Sequence, residues 1–230
     1  MSIKENLLLL VLIFSLGCFS QNKNFIKHND SLVGNENLSY NNGLVYYNKY
    51  KNTSQNTSQF LENKYITGIL QHNNQTFYDV SLKYDVFDDL LLFKPASQLV
   101  LETSLITKQV DYFVLKNKKF KKLETISSDS LITFGFFEEV EINERCTLYL
   151  KHKKTFKVDS RSDNLSYIFY DYTIYYIYHN NKLEEISSKK SIINLFPTLI
   201  KEIKQIYKEN QNLKETNLKL FYQNLFKSVI

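Results

Sequence analysis

The sequence has no tryptophan and few of the residues on which common catalytic motifs depend: five glycines, two prolines and two cysteines among 230 residues. The glycines are not clustered, so the chain lacks a phosphate-binding loop, and it also lacks the Gly-x-Ser-x-Gly motif of many hydrolases. Its four histidines, at positions 28, 72, 152 and 179, fall in no metal-binding spacing. The sequence therefore predicts neither a cofactor nor a metal site.

Cysteine is too scarce for a disulfide framework. Cys18 lies in an apolar N-terminal segment, which leaves Cys146 as the only thiol of the remaining chain. A nucleophilic cysteine needs a histidine within hydrogen-bond reach. His152 follows six residues later on the same predicted strand, about 20 Å away at ~3.3 Å per residue. We therefore expect Cys146 to be a buried structural thiol.

The N-terminal segment has the pattern of a cleavable signal peptide. Lys4 is followed by an almost unbroken apolar run at 7–16 and then by small residues up to Ser20. The run is about 10 residues long, whereas a membrane-spanning helix needs roughly 20. We predict that residues 1–20 are removed and that the protein is periplasmic or extracellular, without a transmembrane segment. Lipidation of Cys18, which would anchor the chain to a membrane, is the alternative.

Composition places the chain among folded proteins, because apolar residues make up 43% of it and aromatic residues 15%. The abundant residues, chiefly Lys, Asn, Ile, Tyr, Phe and Leu, share A/T-rich codons, so genome composition explains much of the net charge of +5. That charge is weak evidence for an acidic partner. Basic runs at 116–122 and 151–157 fit an anionic glycan or lipid surface better than nucleic acid, which an exported protein does not meet.

Two patterns divide the chain after residue 20. Residues 21–62 are rich in Asn, Ser and Gln and predict an exposed lead-in with one strand at 44–50. Residues 63–230 predict a single β-rich domain, and its clearest strand, 78–86, alternates apolar and polar residues with a period of two. The predicted turns are Asp88-Asp89, Asn117-Lys118 and Asn180-Asn181, and further strands are predicted at 90–93, 99–102, 111–115, 120–123, 131–140, 146–158, 167–179 and 182–186.

In the C-terminal part, 187–230, the apolar period changes to three and four residues, which predicts helices. Ser188 is suited to cap the first helix, and Pro197 is expected to interrupt it before a second helix that ends near Asn210. A last helix is expected around 213–226. The predicted fold is α+β: an antiparallel sheet, open or partly closed, with the C-terminal helices packed on it.

The β-rich part contains a characteristic series of strings: FYDVSLKYDV at 77–86, GFFEE at 135–139 and LYLKH at 148–152, followed by Tyr175-Tyr176 and a lysine-rich helical part. In this order the strings are similar to those of a group of secreted proteins of Bacteroidota-type bacteria, over residues 65–228. The resemblance implies export and a sheet with helices. It implies no activity, because none of the strings is a catalytic motif.

Residues 167–178 are the richest feature of the sequence, because both faces of the predicted strand are apolar or aromatic. Such a strand is typical of the centre of a covered sheet, so we expect Tyr172 and Tyr176 to be buried, with helices on one side. Alternatively, one face lines a groove for a sugar or peptide with tyrosine hydroxyls. In that case the ligand-binding residues are Tyr170, Tyr172, Tyr176 and Tyr178.

Acidic residues give little support for catalysis or cation binding. Asp85, Asp88 and Asp89 fit a turn and lack the spacing and the final glutamate of a calcium loop. Glu138 and Glu139 are neighbours on a predicted strand, so they point to opposite faces and cannot flank one glycosidic bond.

The sequence thus favours a non-enzymatic exported protein that binds a partner protein, or a glycan or lipid of the cell envelope. One alternative is an envelope glycan hydrolase with Asp171 or Glu138 as its acid. Another is a structural subunit of an outer-membrane complex that is joined through an exposed sheet edge.

Overall fold

The computed structural model describes residues 23–50, 57–95, 101–123, 135–159 and 166–230. The predicted signal peptide, 1–20, lies outside the described residues, and so does Cys18. The described strands form one open antiparallel sheet, and the C-terminal helices pack against it. The expected α+β class is therefore confirmed.

The elements are numbered here along the chain. The strands are β1 (Leu44–Val45), β2 (Ile66–His72), β3 (Gln75–Asp85), β4 (Leu90–Phe93), β5 (Thr103–Ser104), β6 (Val110–Leu115), β7 (Lys118–Leu123), β8 (Gly135–Asn143), β9 (Cys146–Asp159), β10 (Ser166–His179) and β11 (Lys182–Ile186). The helices are α1 (Lys23–Val33), α2 (Lys189–Leu195), α3 (Ile200–Glu209), α4 (Gln211–Thr216) and α5 (Leu218–Val229). In the sheet the strands lie in the order β1-β5-β4-β3-β2-β6-β7-β8-β9-β10-β11, so β1 and β11 are its edges.

Tight two-residue turns with positive φ join neighbouring strands. Asn180-Asn181, with φ of 51° and 60°, joins β10 to β11 as the sequence predicts. Lys116-Asn117 joins β6 to β7, one residue earlier than expected. Asn73-Asn74 joins β2 to β3 in the same way. The sequence pattern missed β2, whose partner β3 has one extra residue between its pairs with Gly68 and Ile69.

The other predicted strands agree with the structure in most places. The strand at 44–50 is reduced to the two residues of β1, and those predicted at 99–102 and 131–140 lie partly outside the described residues. Strands were correctly predicted at 78–86, 90–93, 111–115, 120–123, 146–158, 167–179 and 182–186, with ends that differ by a few residues at most.

The N-terminal half of the sheet encloses an aromatic core. Phe113 and Phe120 stack with ring centroids 4.9 Å apart, and Tyr84 and Phe136 meet them edge-on or tilted. Aromatic pairs in such geometries contribute about 0.5–1.5 kcal/mol beyond the area they bury. These rings come from β3, β6, β7 and β8, so the core joins strands that are distant in sequence.

The C-terminal half of the sheet has a second core beneath the helices. Leu148 and Ile177 of β9 and β10 pack against Phe221 and Phe226 of α5. Ser188 caps α2 through a reciprocal capping box, as predicted. A short 3₁₀ turn that starts at Pro197 separates α2 from α3, also as predicted.

Two helical predictions need correction. The single last helix is two helices, α4 and α5, because Asn217 leaves the helical conformation and its side chain caps α5 by accepting a hydrogen bond from the Leu220 N–H. The predicted lead-in, 21–62, contains the eleven-residue helix α1. Its helical period is obscured by asparagines, and none of its residues is buried.

One ion pair joins the two halves of the sheet. Lys151 of β9 donates to Asp89 Oδ2 at 2.6 Å and to the Phe136 carbonyl at 3.1 Å, and only 3% of the Lys151 side chain is exposed. Tyr84 donates its hydroxyl proton to Asp89 Oδ1. Gly135 is required beside this pair, because a Cβ there would lie 1.7 Å from Asp89 Oδ2 and its φ is +146°. Asp89, which the sequence predicts only as a turn residue, is therefore also the ion-pair partner of the buried Lys151.

We expect Asp89→Asn to lower the free energy of unfolding by about 3 kcal/mol, because Lys151 is left as a buried charge without its partner. The matched variant Asp88→Asn removes the neighbouring carboxylate, which lies 3.9 Å from Lys49 at the surface, and should cost less than about 1 kcal/mol. Urea unfolding of both variants beside the wild type measures the difference. Equal losses for the two variants would contradict the role assigned to Asp89.

Candidate functional site

The two faces of β10 have different surroundings. On one face, Ile177 is buried beneath the helices, and the Tyr175 ring meets that of Tyr222 edge-on, with centroids 5.1 Å apart. This face is covered by helices, as the sequence predicts.

The opposite face of β10 is open, and here the expectation of burial is wrong. Tyr170, Tyr172 and Tyr178 are 45%, 47% and 38% exposed. The described helices of the C-terminal part pack on the other side of the sheet, and β11 pairs only with residues 175–179. No described strand pairs with residues 166–174 on the side away from β9. A central strand covered on both faces was expected, whereas this half of β10 is itself an edge.

Tyr176 and Tyr178 differ from the other two candidate tyrosines. Tyr176 is half-buried and meets the Phe137 ring edge-on, with centroids 5.6 Å apart. Tyr178 donates a hydrogen bond to the side chain of Asn181 in the adjacent turn, at 3.3 Å. Tyr170 and Tyr172 are therefore the two candidate tyrosines whose side chains are most accessible to a ligand.

Lysines of β9 lie beside these two tyrosines. Lys153 is directly opposite Tyr172 in the β9–β10 register, and the Lys157 ammonium is 5.6 Å from the centroid of the Tyr170 ring. Within the described residues, neither lysine forms an ion pair. We call Tyr170, Tyr172, Lys153 and Lys157 the tyrosine–lysine face. It is an exposed aromatic and cationic surface at a free sheet edge.

A second cluster of functional groups lies on the helix-covered face, around Glu138. Its carboxylate accepts a hydrogen bond from His152 Nε2 at 2.6 Å, binds the Lys219 ammonium of α5, and lies 3.4 Å from the Lys118 ammonium. Burial raises the pKa of Glu138, but the bonds from His152 and Lys219 and the charge of Lys118 outweigh it, so the pKa falls to about 2. Glu138 is thus a permanent anion that joins β7, β8, β9 and α5.

The geometry does not suit the acids that a glycan hydrolase would use. A general acid needs a raised pKa, whereas that of Glu138 is lowered. Asp171 has a side chain that is 76% exposed and pairs with Lys154 at 2.9 Å. Glu139 binds Lys119 and Tyr149 on the face opposite Glu138, so the expected separation of the two glutamates is confirmed.

Cys146 is buried, as expected, and burial raises its pKa to about 11, so the thiol stays protonated. His179 is directly opposite it in the register of β9 and β10. The His179 ring, however, lies against Phe196 and its Nδ1 is 3.3 Å from the Arg145 carbonyl oxygen. Cys146 and His179 therefore lack the hydrogen bond that would activate the thiol as a nucleophile.

The acidic residues of the β3–β4 turn do not form a cation site. Asp85 is fully buried and accepts hydrogen bonds from the Tyr46 hydroxyl and from the N–H groups of Phe87 and Asp88. Asp89 is bound to Lys151. Across the described ranges, no group of three or more His, Cys, Asp or Glu side chains could hold a metal ion.

A cleft between α1 and β3 was not predicted from the sequence. It has a volume of about 290 Å³, and its lining includes Lys27, Asp30, Tyr40 and Asp79. Lys27 binds Asp79 at 2.5 Å, and Lys23 lies 3.6 Å from the same carboxylate. No pattern in the sequence predicted this contact, because α1 itself was not predicted.

Comparison with known proteins found no matching family model, no similar curated protein and no similar solved structure. The resemblance to secreted proteins of Bacteroidota-type bacteria therefore stays a prediction. Within the part of the chain that the structure describes, none of the helices has both the length and the apolar character needed to cross a membrane.

The Glu138 cluster predicts a specific pH dependence of stability. A carboxylate whose folded pKa is about 2 and whose unfolded pKa is about 4.3 contributes stability above the unfolded value and loses it as pH falls towards 2. Glu138→Gln should therefore reduce the free energy of unfolding by about 3 kcal/mol at pH 7 and by much less near pH 2.5. Urea unfolding across this pH range measures the difference.

The control is Glu141→Gln, because Glu141 is an exposed glutamate on the same strand. Its effect on stability should be small at every pH. A loss for Glu138→Gln that is independent of pH would show that shape, rather than charge, matters at this position.

Proposed function

We propose that this chain is an exported binding protein of the cell envelope, without catalytic activity, that holds an anionic glycan on its tyrosine–lysine face. The observation that carries the proposal is the exposure of Tyr170 and Tyr172 next to two lysines without ion-pair partners among the described residues. Export rests on the apolar run at 7–16 and the small residues that follow it.

The chemistry of the face favours a sugar polymer with acidic groups. Tyrosine offers a flat apolar ring on which a sugar ring can stack, together with a hydroxyl that donates or accepts a hydrogen bond. Tyr170 and Tyr172 are two residues apart on one strand, so their rings are about 7 Å apart along it. Lys153 and Lys157 add positive charge on the neighbouring strand, and they favour a carboxylate or sulfate over a neutral sugar.

A second candidate function follows from the free edge of β10. Residues 166–174 lack a described strand on the side away from β9, so a partner protein could add a strand there and join the chain to a larger envelope assembly. Such binding uses backbone groups. It would survive substitution of the exposed tyrosines and lysines, which separates it from glycan binding.

Isothermal titration calorimetry with polygalacturonate, a polymer of acidic sugars, tests the glycan proposal. We expect Tyr170→Ala with Tyr172→Ala to weaken binding at least tenfold, which corresponds to about 1.4 kcal/mol. Lys153→Gln with Lys157→Gln should weaken it similarly and reduce its dependence on salt. Both double variants should unfold within about 1 kcal/mol of the wild type, because the replaced side chains are largely at the surface.

Two controls accompany this experiment. Lys154→Gln removes a lysine from the same strand but from the opposite face, so it should leave binding unchanged. Neutral dextran replaces the acidic polymer and should bind at least tenfold more weakly. Equal affinity for the two polymers, or full binding by the tyrosine variant, would refute an anionic glycan on this face.

Mass spectrometry of the protein recovered from its own cells tests the proposed export. We expect the N-terminus at Gln21, because the predicted cut follows Ser20. A diacylated or triacylated Cys18 at the N-terminus would support the alternative of a lipid anchor. An intact Met1 would contradict export by either route.

A further inference from the structure

The helix α1 leaves three large apolar side chains exposed to solvent. A surface helix normally turns its apolar side chains towards the protein and its polar ones towards water. In α1, Phe25, Leu32 and Val33 are 63%, 73% and 54% exposed, although they share one face of the helix at positions i, i+7 and i+8. The side turned to the sheet includes the polar residues Lys27 and Asp30 together with the half-buried Ile26, and Phe25 borders the cleft beside it.

Specific contacts hold α1 in this orientation. Asp79 is the extra residue of a β-bulge in β3, and its φ of 59° is in the left-handed region. Its carboxylate binds the ammonium groups of Lys23 and Lys27, which lie one turn apart on α1. The bulge thus binds the lysines of the helix, while Phe25, Leu32 and Val33 keep more than half of their surface exposed.

We infer that α1 is an interfacial helix that lies on a lipid bilayer, with Phe25, Leu32 and Val33 inserted among the lipids. Three apolar side chains are a narrow strip, far smaller than the roughly 800 Å² that each partner contributes to a stable protein dimer. A narrow apolar strip flanked by polar residues is, in contrast, the pattern of helices that lie in the membrane interface.

The position of α1 along the chain supports a lipid surface as its partner. The helix begins seven residues after the apolar run at 7–16. Seven extended residues span at most about 25 Å. Before cleavage the apolar run lies in a membrane, and a lipid on Cys18 would also be inserted in one. In either state α1 is held within reach of the bilayer surface.

The absence of tryptophan from the sequence provides a direct test, because Phe25→Trp introduces a single reporter into the exported protein. With vesicles of phosphatidylethanolamine and phosphatidylglycerol at 3:1, we expect its emission to shift to shorter wavelength and to be quenched by brominated acyl chains. Leu101→Trp, at an exposed apolar site outside α1, should show neither change. An unchanged Phe25→Trp spectrum would overturn the inference.

Vesicle sedimentation of a triple variant supplies the second measurement. Phe25→Ser with Leu32→Ser and Val33→Ser should lower the membrane-bound fraction of the Gln21 form at least tenfold. The matched triple variant Leu44→Ser, Val45→Ser and Leu101→Ser removes as many exposed apolar side chains elsewhere and should bind as the wild type does. A blue shift of Phe25→Trp that depends on protein concentration and needs no vesicles would overturn the inference in favour of a second copy of the chain.

Discussion

The buried ion pair between Asp89 and Lys151 is the contact on which the arrangement of the sheet depends. The two residues are separated by 62 positions in the sequence, and they bring the β3–β4 turn against β9. Burial lowers the pKa of Lys151, and the Asp89 carboxylate partly opposes that effect. Phe136 supplies a carbonyl to the same ammonium, so the start of β8 is fixed at the same point. Phe136 and Tyr84 of the aromatic core and Leu150 of the helix-covered core are close in sequence or hydrogen-bonded to this pair.

Several lysines of this chain have structural roles, although their number suggests a general basic surface. Glu138 and Glu139 point to opposite faces of β8, and each carboxylate is surrounded by ammonium groups from neighbouring elements. Lys151 and Lys154 are bound to aspartates. The net charge of +5 is therefore not a measure of anion binding. Lys153 and Lys157 have no ion-pair partner in the described part of the chain, and they lie beside the exposed Tyr170 and Tyr172.

Local signals in the sequence predicted the local structure well. Asn180-Asn181 tolerates positive φ, Ser188 can cap a helix, and Pro197 cannot continue one, so these positions were correctly assigned. The alternation of apolar and polar residues at 78–86 likewise predicted the strand that is observed as β3. Each of these features depends on a few neighbouring residues.

The parts that sequence reasoning missed depend on contacts between distant elements. The exposure of Tyr172 follows from the shortness of β11 and from the placement of every described C-terminal helix on one side of the sheet. Neither fact can be inferred from the sequence of β10 alone. Two apolar faces are also what a central strand, covered on both sides, would have. The contacts of Asp89 and Glu138 likewise need the sheet order, because their partners come from other strands and from α5. The open tyrosine face could be proposed from the sequence only as an alternative.

The unpaired half of β10 also affects how the chain behaves at high concentration. A row of free backbone N–H and C=O groups between residues 166 and 174 can template another copy of itself, which is how edge strands start aggregates. Natural sheets discourage this with charge on the edge, and Asp171, with 76% of its side chain exposed, lies in the middle of the unpaired stretch. Asp171 thus places an exposed carboxylate on the unpaired stretch, which is a feature of residues that limit edge-to-edge association.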